Sequence, residues 1–333
     1  MASPSMTTSL ETLSQIEAEA GKSFEEAVKD LAHTSSRRVI NILATGKHAA
    51  GKSALVNGLI GEEVAPENDS LDPGTTKVVK YDRNIDGVLI NVWDSPGLEA
   101  NTENETVNVE MIAKEVPEAD LLLFCIRMDD SRLRKQDLNT IIHFTKAFGE
   151  KVWRHTVFAM TFANMVVPVR SKDDPVAKKK FFDDRLKLWT EELQKALVEA
   201  GVTMEIVEKV NIVPVGYYND PSLPNGQDNW LTIFWFICLQ AMKKQAQPAL
   251  LKVNLGRLKS VQDLHPSENY TLPFHRQPIV VDTLRKAAVP GATGVVGGLI
   301  GLAVNGPVGM AVGGVVGAVA GGFFQGVARN MAT

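Results

Sequence analysis

Residues 46–53 read Gly46-Lys47-His48-Ala49-Ala50-Gly51-Lys52-Ser53 and fill the pattern G-x-x-x-x-G-K-[ST] at every fixed position. No other stretch of the 333-residue chain restricts the fold so tightly. The pattern works as a turn between a strand and a helix: its glycines let backbone N–H groups curl around an anion beside the positive end of the helix. The apolar run 38–44 predicts a buried strand before it, and 54–60 reads as the helix that continues from it. The bland alternative is a glycine-rich turn that merely caps a helix, and the flanking strand and helix argue against it. Gly46, Lys47, His48, Ala49, Ala50, Gly51, Lys52, Ser53 and Ala54 are therefore the expected phosphate-binding residues. Lys52 is placed to bridge β- and γ-phosphates, and the Ser53 hydroxyl to ligate Mg2+.

Two further elements follow in chain order. Asp94-Ser95-Pro96-Gly97 comes directly after an apolar run, in the place of a D-x-x-G element. Asp, Pro and Gly all favour turns, so the tetrapeptide is weak alone and gains force from its position. Asp94 is expected to hold Mg2+ through a water, and the Gly97 N–H to contact the γ-phosphate. Between the two lies Pro73-Gly74-Thr75-Thr76-Lys77. Thr76, directly ahead of the next strand, is the expected γ-phosphate sensor and third Mg2+ ligand, with Thr75 the next choice. Loss of the γ-phosphate would release both loops, the physical basis of a nucleotide switch.

Around these motifs the chain divides into zones. Residues 1–36 place Leu10, Leu13, Ile16, Ala20, Phe24, Val28 and Leu31 at helical spacing, an amphipathic helix suited to the main domain, a partner or a membrane surface. Residues 37–252 alternate strand-like and helix-like segments. Strands are expected at 38–44, 77–82, 88–93, 121–126, 156–161 and 212–216, the second and third paired as a hairpin across 85–87. Helices are expected at 106–115, 135–148, 176–199 and 230–243, the last apolar on most sides. Such alternation predicts an α/β fold: a three-layer architecture with a mainly parallel sheet covered on both faces. Residues 253–286 read as a polar connector without a long period, and 287–328 as a glycine-rich apolar hairpin.

Composition closes off other classes. A net charge of −4, without a dense basic patch, argues against nucleic acid as a partner. The two cysteines, Cys125 and Cys238, each sit inside an apolar run and read as buried thiols of a reducing compartment. The histidines show no metal-ligand spacing, and residues 1–10 lack the basic and apolar blocks of a signal peptide, so the expected starting compartment is the cytosol.

With the motifs placed, the chain resembles the septin-related P-loop GTPases that include the chloroplast-import receptors (the Toc group) and the immunity-associated AIG-type proteins. The similarity rests on residues 121–129 (LLLFCIRMD), Arg132, 148–153 (FGEKVW), 157–161 (VFAMT), and Leu223-Pro224-Asn225-Gly226 followed by Trp230, and it covers 38–242. It implies a GTPase (G) domain that takes GTP/GDP with Mg2+ and associates as a homodimer or higher assembly. Two departures qualify that. Small GTPases read guanine with N-K-x-D, whereas this chain has Phe162-Ala163-Asn164-Met165 after its fifth strand, with no carboxylate. The resemblance implies that Phe162 packs on the base, with Asn164 and Asn219 as further base-site residues and Asn219 helping to read its edge; the residues themselves leave adenine open. Ser171-Lys172-Asp173-Asp174 fits a loosened [NTS]-K-x-D but lies beyond the strand end, where a solvated loop is the better reading. The residue after D-x-x-G is Leu98, which cannot orient a water as glutamine does, and Glu99 is the nearest candidate. Slow intrinsic hydrolysis is therefore expected. Arg132 matches the arginine that import receptors present across a dimer interface, against the alternative of an exposed helix-start arginine. The expected catalytic set is thus Lys52, Thr76, Gly97 and Arg132, and the metal set Ser53, Thr76 and Asp94.

The tail adds a membrane question. Residues 287–304 and 308–324 are uncharged runs split by Asn305-Gly306-Pro307, each long enough as a helix to reach about 26 Å. Gly309, Gly313, Gly317 and Gly321 recur on one helical face, as in close helix–helix packing in lipid. Arg285, Lys286 and Arg329 flank the segment, so a hairpin returning to the cytosolic face of an intracellular membrane satisfies the positive-inside tendency. A soluble lid folded on the G domain, or a self-assembling zipper, is the alternative. Two other functions stay open: an oligomerising nucleotide-binding scaffold without turnover, and a P-loop ATPase or kinase.

Overall fold

The computed structural model describes residues 38–47, 49–66, 78–95, 102–116, 118–133, 135–171, 173–216, 220, 222–259 and 276–280, with backbone alone for 102–108 and 136. The amphipathic segment 1–36, the hairpin 287–328 and His48, Thr75, Thr76, Gly97, Leu98, Glu99 and Asn219 lie outside the described residues.

Strand β1 (Val39–Gly46) forms because β-branched and aliphatic residues, interrupted only by Asn41, run up to a glycine, and its burial on both faces places it inside the sheet. It is flanked in parallel by β3 (Val88–Asp94) and β4 (Leu121–Arg127). The sheet continues outward through β5 (Thr156–Thr161) and β6 (Asn211–Pro214), while β2 (Val79–Ile85) adds an antiparallel edge on β3, giving the order β2-β3-β1-β4-β5-β6. The expected mixed sheet is present, parallel except for its β2 edge. The hairpin is tighter than the sequence suggested: β2 runs to Ile85, and Asp86 (φ 50°) with Gly87 (φ 76°) makes the two-residue turn. An Asp-Gly pair with both φ positive suits the twist of flanking strands.

Helices α1 (Lys52–Ile60), α2 (Thr102–Glu115), α3 (Lys135–Phe148), α4 (Pro175–Glu199), the single turn α5 (Met204–Val207) and α6 (Trp230–Ala241) cover the sheet. α4 buries one stripe, Phe182, Trp189, Leu193, Ala196 and Leu197, with Leu186 packed beside it, and carries its charged residues outside that stripe. α6 is buried on most sides, including Trp230, Phe234, Trp235 and Phe236, as its uninterrupted apolar run implied. Phe124, Phe144, Trp153 and Phe158 form an aromatic cluster between β4, β5 and α3, with Trp153 stacked on Phe158 at 5.5 Å.

The core also draws on residues beyond 252. Helix α7 (Gln247–Asn254), with a proline in its first turn, is followed by the two-residue strands β7 (Leu258–Lys259) and β8 (Ile279–Val280), paired in parallel. Leu258 and Ile279 join the main core cluster, Asn254 donates to the Leu59 carbonyl, and Val280 N–H donates to Thr232 Oγ1. Strands of two residues carry no periodicity, so no local pattern marks them. Among the described residues no helix is long and apolar enough to cross a membrane.

Candidate functional site

All five parallel strands run the same way, and among the described candidates Gly46 ends β1, Asp94 ends β3 and Phe162 follows β5, the edge expected to bind a ligand in an open α/β sheet. The phosphate loop leaves β1 through Gly46, whose φ of 137° and surroundings exclude any side chain: a Cβ would lie 2.3 Å from the Cys125 carbonyl oxygen. Ala49 (φ 55°) and Gly51 (φ 78°) also take left-handed backbone, so the loop turns three times before Lys52 starts α1. No side chain of the N-cap residue closes the helix, and its first turn contains no acid. The leading N–H groups are therefore open to an anion, a fit for phosphate.

Lys52 lies within this loop, its side chain 9% exposed, with Nζ 3.1 Å from the Lys47 carbonyl and 3.9 Å from Asp94 Oδ1. Asp94 arrives there because the parallel register pairs it with Ala44, two residues before Gly46. Ser95 locks that end of β3 to β1 twice, by its N–H to the Ala44 carbonyl (3.0 Å) and its hydroxyl to Thr45 Oγ1 (2.9 Å). The phosphate loop and the first half of the D-x-x-G element thus form one body, with a lysine cation beside an aspartate. Ser53, in the first turn of α1, completes the described part of the expected Mg2+ set, and an oxygen-donor set of hydroxyl and carboxylate suits that hard cation. Among the described residues no cluster of three or more His, Cys, Asp or Glu side chains could hold a metal by itself.

Lys47 has a role that the sequence pattern did not suggest. Its Nζ pairs with Asp137 Oδ1 at 2.8 Å, tying the loop to the first turn of α3. Asp137 is buried, and nothing local in the sequence separates it from an ordinary acidic residue at a helix start. Beneath the loop, Cys125 is wholly buried, and burial together with nearby Asp94 outweighs Lys52 to push its thiol up to about 12. It is an inert core residue at neutral pH.

The base-side residues sit at the ends of β4, β5 and β6. Phe162 follows β5 with φ 58°, stitched between neighbours: Met128 N–H donates to the Thr161 carbonyl and Ala163 N–H to the Val215 carbonyl. Its ring lies 3.9 Å from the Arg127 guanidinium, which is held by a two-pronged hydrogen bond to Asp129 at 3.0 and 2.7 Å. This cation–π pair joins residues 35 apart in sequence and was not foreseen. Asn164 sits in the single 3-10 turn after Phe162. Gly216, after β6, is required by close approach, since a Cβ there would meet Trp230 Nε1 at 2.4 Å. In the 171–174 motif, the Asp174 carboxylate accepts from Val176 N–H and caps α4. Arg132 is exposed, in an irregular segment between β4 and α3.

With this geometry in view, the AIG1 family matches residues 40–186. The chain carries an AIG1-family domain. Among similar proteins, the translocase of chloroplast 34 homolog of Chlamydomonas reinhardtii is 31% identical over 143 residues, covering 39% of this chain and 36% of that protein. The translocase of chloroplast 33 of Arabidopsis thaliana is 32% identical over 134 residues, covering 39% and 44% respectively. The matched stretch thus spans less than half the length of each of these relatives. The crystal structure of Arabidopsis thaliana Toc33 in complex with GDP and Mg2+ superposes with a TM-score of 0.50 at 22% identity, over 72% of this chain and 94% of that one. A second solved structure, described by the statement that dimerization is important for the GTPase activity of the chloroplast translocon components atToc33 and psToc159, gives 0.51 at 22% identity, over 72% and 93%. At these identities the superpositions establish the shared fold.

Proposed function

We propose that this protein is a Mg2+-dependent GTPase switch that hydrolyses GTP slowly alone and faster when two copies associate through their G domains. The observation that carries this reading is the phosphate cradle: a loop closed by Gly46 and Gly51, with Lys52 beside Asp94, inside an AIG1-family domain. Backbone N–H groups at 49–53 and the Lys52 ammonium would hold the β- and γ-phosphates, and Ser53 and Asp94, with Thr76, would hold Mg2+. The metal, once bound, neutralises charge that builds on the phosphate oxygens during transfer. Gly97 would contact the γ-phosphate, so that Thr76 and Gly97 report its presence. Phe162 would stack on the base, its ring steadied by Arg127, with Asn164 and Asn219 toward the base edge. Guanine is the preferred base because the Toc33 relative is described with GDP. Leu98 after D-x-x-G leaves the attacking water without a glutamine to orient it. An arginine from a second copy, Arg132, supplies the missing transition-state charge; the dimer-dependent GTPase activity described for atToc33 and psToc159 supports that role.

Residues 287–328 are proposed to anchor the protein as a hairpin at the cytosolic face of an intracellular membrane, with 1–36 as an amphipathic helix beside the G domain. The deciding experiment measures GTP, GDP and ATP affinity of the full chain, then GTP hydrolysis against protein concentration, with and without lipid vesicles. Guanine preference, turnover that rises with concentration and co-flotation with vesicles are expected. Preference for ATP would replace the reading with a P-loop ATPase or kinase. Binding without turnover at any concentration would replace it with a nucleotide-binding scaffold, a reading that Leu98 after D-x-x-G leaves open.

A further inference from the structure

Arg132 sits on an irregular segment, and a side chain that must reach another molecule's nucleotide cannot be carried on a loose tether without losing most of its effect. The segment is held at two points. On one side of Arg132, the Ser131 carbonyl accepts from Arg185 Nη1 at 2.8 Å. On the other, Leu133 N–H donates to Glu192 Oε2 at 3.1 Å. Both partners belong to α4, seven residues and about two helical turns apart, so they share one face of the helix. That face lies beside the buried stripe of Phe182 and Trp189, which roots α4 in the core. Each bond takes a backbone group of the segment, one residue before and one residue after the arginine, and the Arg132 side chain stays exposed.

We infer that Arg185 and Glu192 are positioning residues that splint the Ser131–Leu133 backbone onto α4 and so preset Arg132 for a second copy of this chain. The inference rests on the dimer-activated reading above. The splint needs the two ends to differ: a cation to hold a carbonyl and a carboxylate to hold an N–H, both charge-assisted and stronger than neutral pairs. It explains why a long helix with one buried stripe carries oppositely charged side chains at these two places on one side. Neither residue belongs to the phosphate loop or the base pocket, so the splint acts on association and turnover and leaves nucleotide affinity alone.

The experiment uses the full chain in a series of single substitutions: Arg185→Ala, Arg185→Lys, Glu192→Ala, Glu192→Gln and Arg132→Ala. Each variant is followed by GTP hydrolysis across protein concentration, by GDP affinity, by self-association in sedimentation and by thermal melting. Arg185→Ala and Glu192→Ala are expected to lower hydrolysis at high concentration by roughly 10-fold, with GDP affinity and dilute-limit turnover unchanged. Arg185→Lys and Glu192→Gln keep a donor and an acceptor and are expected to recover most of it. Adding Arg132→Ala to either alanine variant is expected to cost less than Arg132→Ala does in the unaltered chain, since residues acting as one unit are non-additive. The splint is overturned if Arg132→Ala abolishes the concentration dependence while Arg185→Ala and Glu192→Ala leave it intact. It is equally overturned if those variants lose GDP affinity and dilute-limit turnover in step with melting temperature, which a structural role alone would produce. If Arg132→Ala itself hydrolyses GTP with normal concentration dependence, the dimer-arginine reading fails first, and the splint with it.

Discussion

The two halves of the candidate nucleotide site are built on opposite principles. The phosphate half is made mainly of backbone: three left-handed residues, a helix start and a glycine wedged against the Cys125 carbonyl, all within one short stretch of chain. The base half is made of side chains from separate strand ends: Phe162 after β5, Arg127 and Asp129 at the end of β4, and Gly216 with Trp230 beyond β6. A backbone cradle tolerates few sequences, so it leaves a fixed motif. A side-chain platform can be assembled in many ways, because ring and cation need only meet in space. That difference makes the phosphate end rigid in sequence and the base end permissive.

The sharpest way to break the comparison is at Gly46. Gly46→Ala forces a Cβ to within 2.3 Å of a backbone oxygen at a φ of 137°, so it should abolish nucleotide binding or folding, read by circular dichroism and GDP titration. A well-folded variant with unchanged affinity would mean that the loop is not held as described. Next in size is Asp137→Asn, which keeps the shape of the side chain but removes its charge opposite Lys47. Loss of a partly buried charged pair should cost about 1–3 kcal/mol in chemical unfolding and speed GDP release. An unchanged release rate would show that the loop does not depend on its tether to α3.

Phe162→Ala tests the base half alone. It removes the ring beneath the Arg127 guanidinium and should weaken guanine-nucleotide affinity by roughly 10-fold while binding of inorganic triphosphate stays constant, in keeping with about 1–2 kcal/mol for a stacked aromatic contact. Equal loss for both ligands would merge the two halves into one. The smallest effect is expected at Asp174. If its carboxylate serves only as the α4 cap, Asp174→Ala should lower stability by about 1 kcal/mol and leave the GTP-to-ATP preference untouched. A changed base preference would restore the 171–174 segment as a reader of guanine.

The alkaline side offers a check on the core beneath the loop. Cys125 is neutral up to about 12 when folded, whereas an exposed thiol ionises from near 9. The unfolded chain therefore binds fewer protons between those values, and stability contributed by this site is present below pH 9 and is lost as pH rises toward 12. In denaturant titrations Cys125→Ala should show a shallower decline over that interval than the unaltered chain. An identical slope would count against burial of the thiol.

Much of the fold could be read in advance because local chemistry and global packing agree. Helix α3 begins and ends where its amphipathic pattern does, β5 matches its apolar run, and the Asp86-Gly87 turn follows from two residues that accept positive φ. The unforeseen features are contacts between distant residues. Lys47 and Asp137 lie 90 positions apart, and Leu133 and Glu192 lie 59 apart, with nothing in either local sequence to mark the pairing. The small β7–β8 pair was likewise invisible, because two residues cannot show a period.

By itself the sequence determined the phosphate loop and the alternating strands and helices, because the left-handed turns and the hydrophobic period are properties of neighbouring residues. It also supplied the motif order and the resemblance that the AIG1 family match later met. The tertiary structure alone decided which cation faces Phe162, which acid anchors the phosphate loop and which helix holds the Arg132 segment. Those choices depend on the strand order β2-β3-β1-β4-β5-β6, which brings far-apart residues to one edge of the sheet. A side chain's nearest partner there is set by sheet register and helix phase, and neither is encoded at the residue itself.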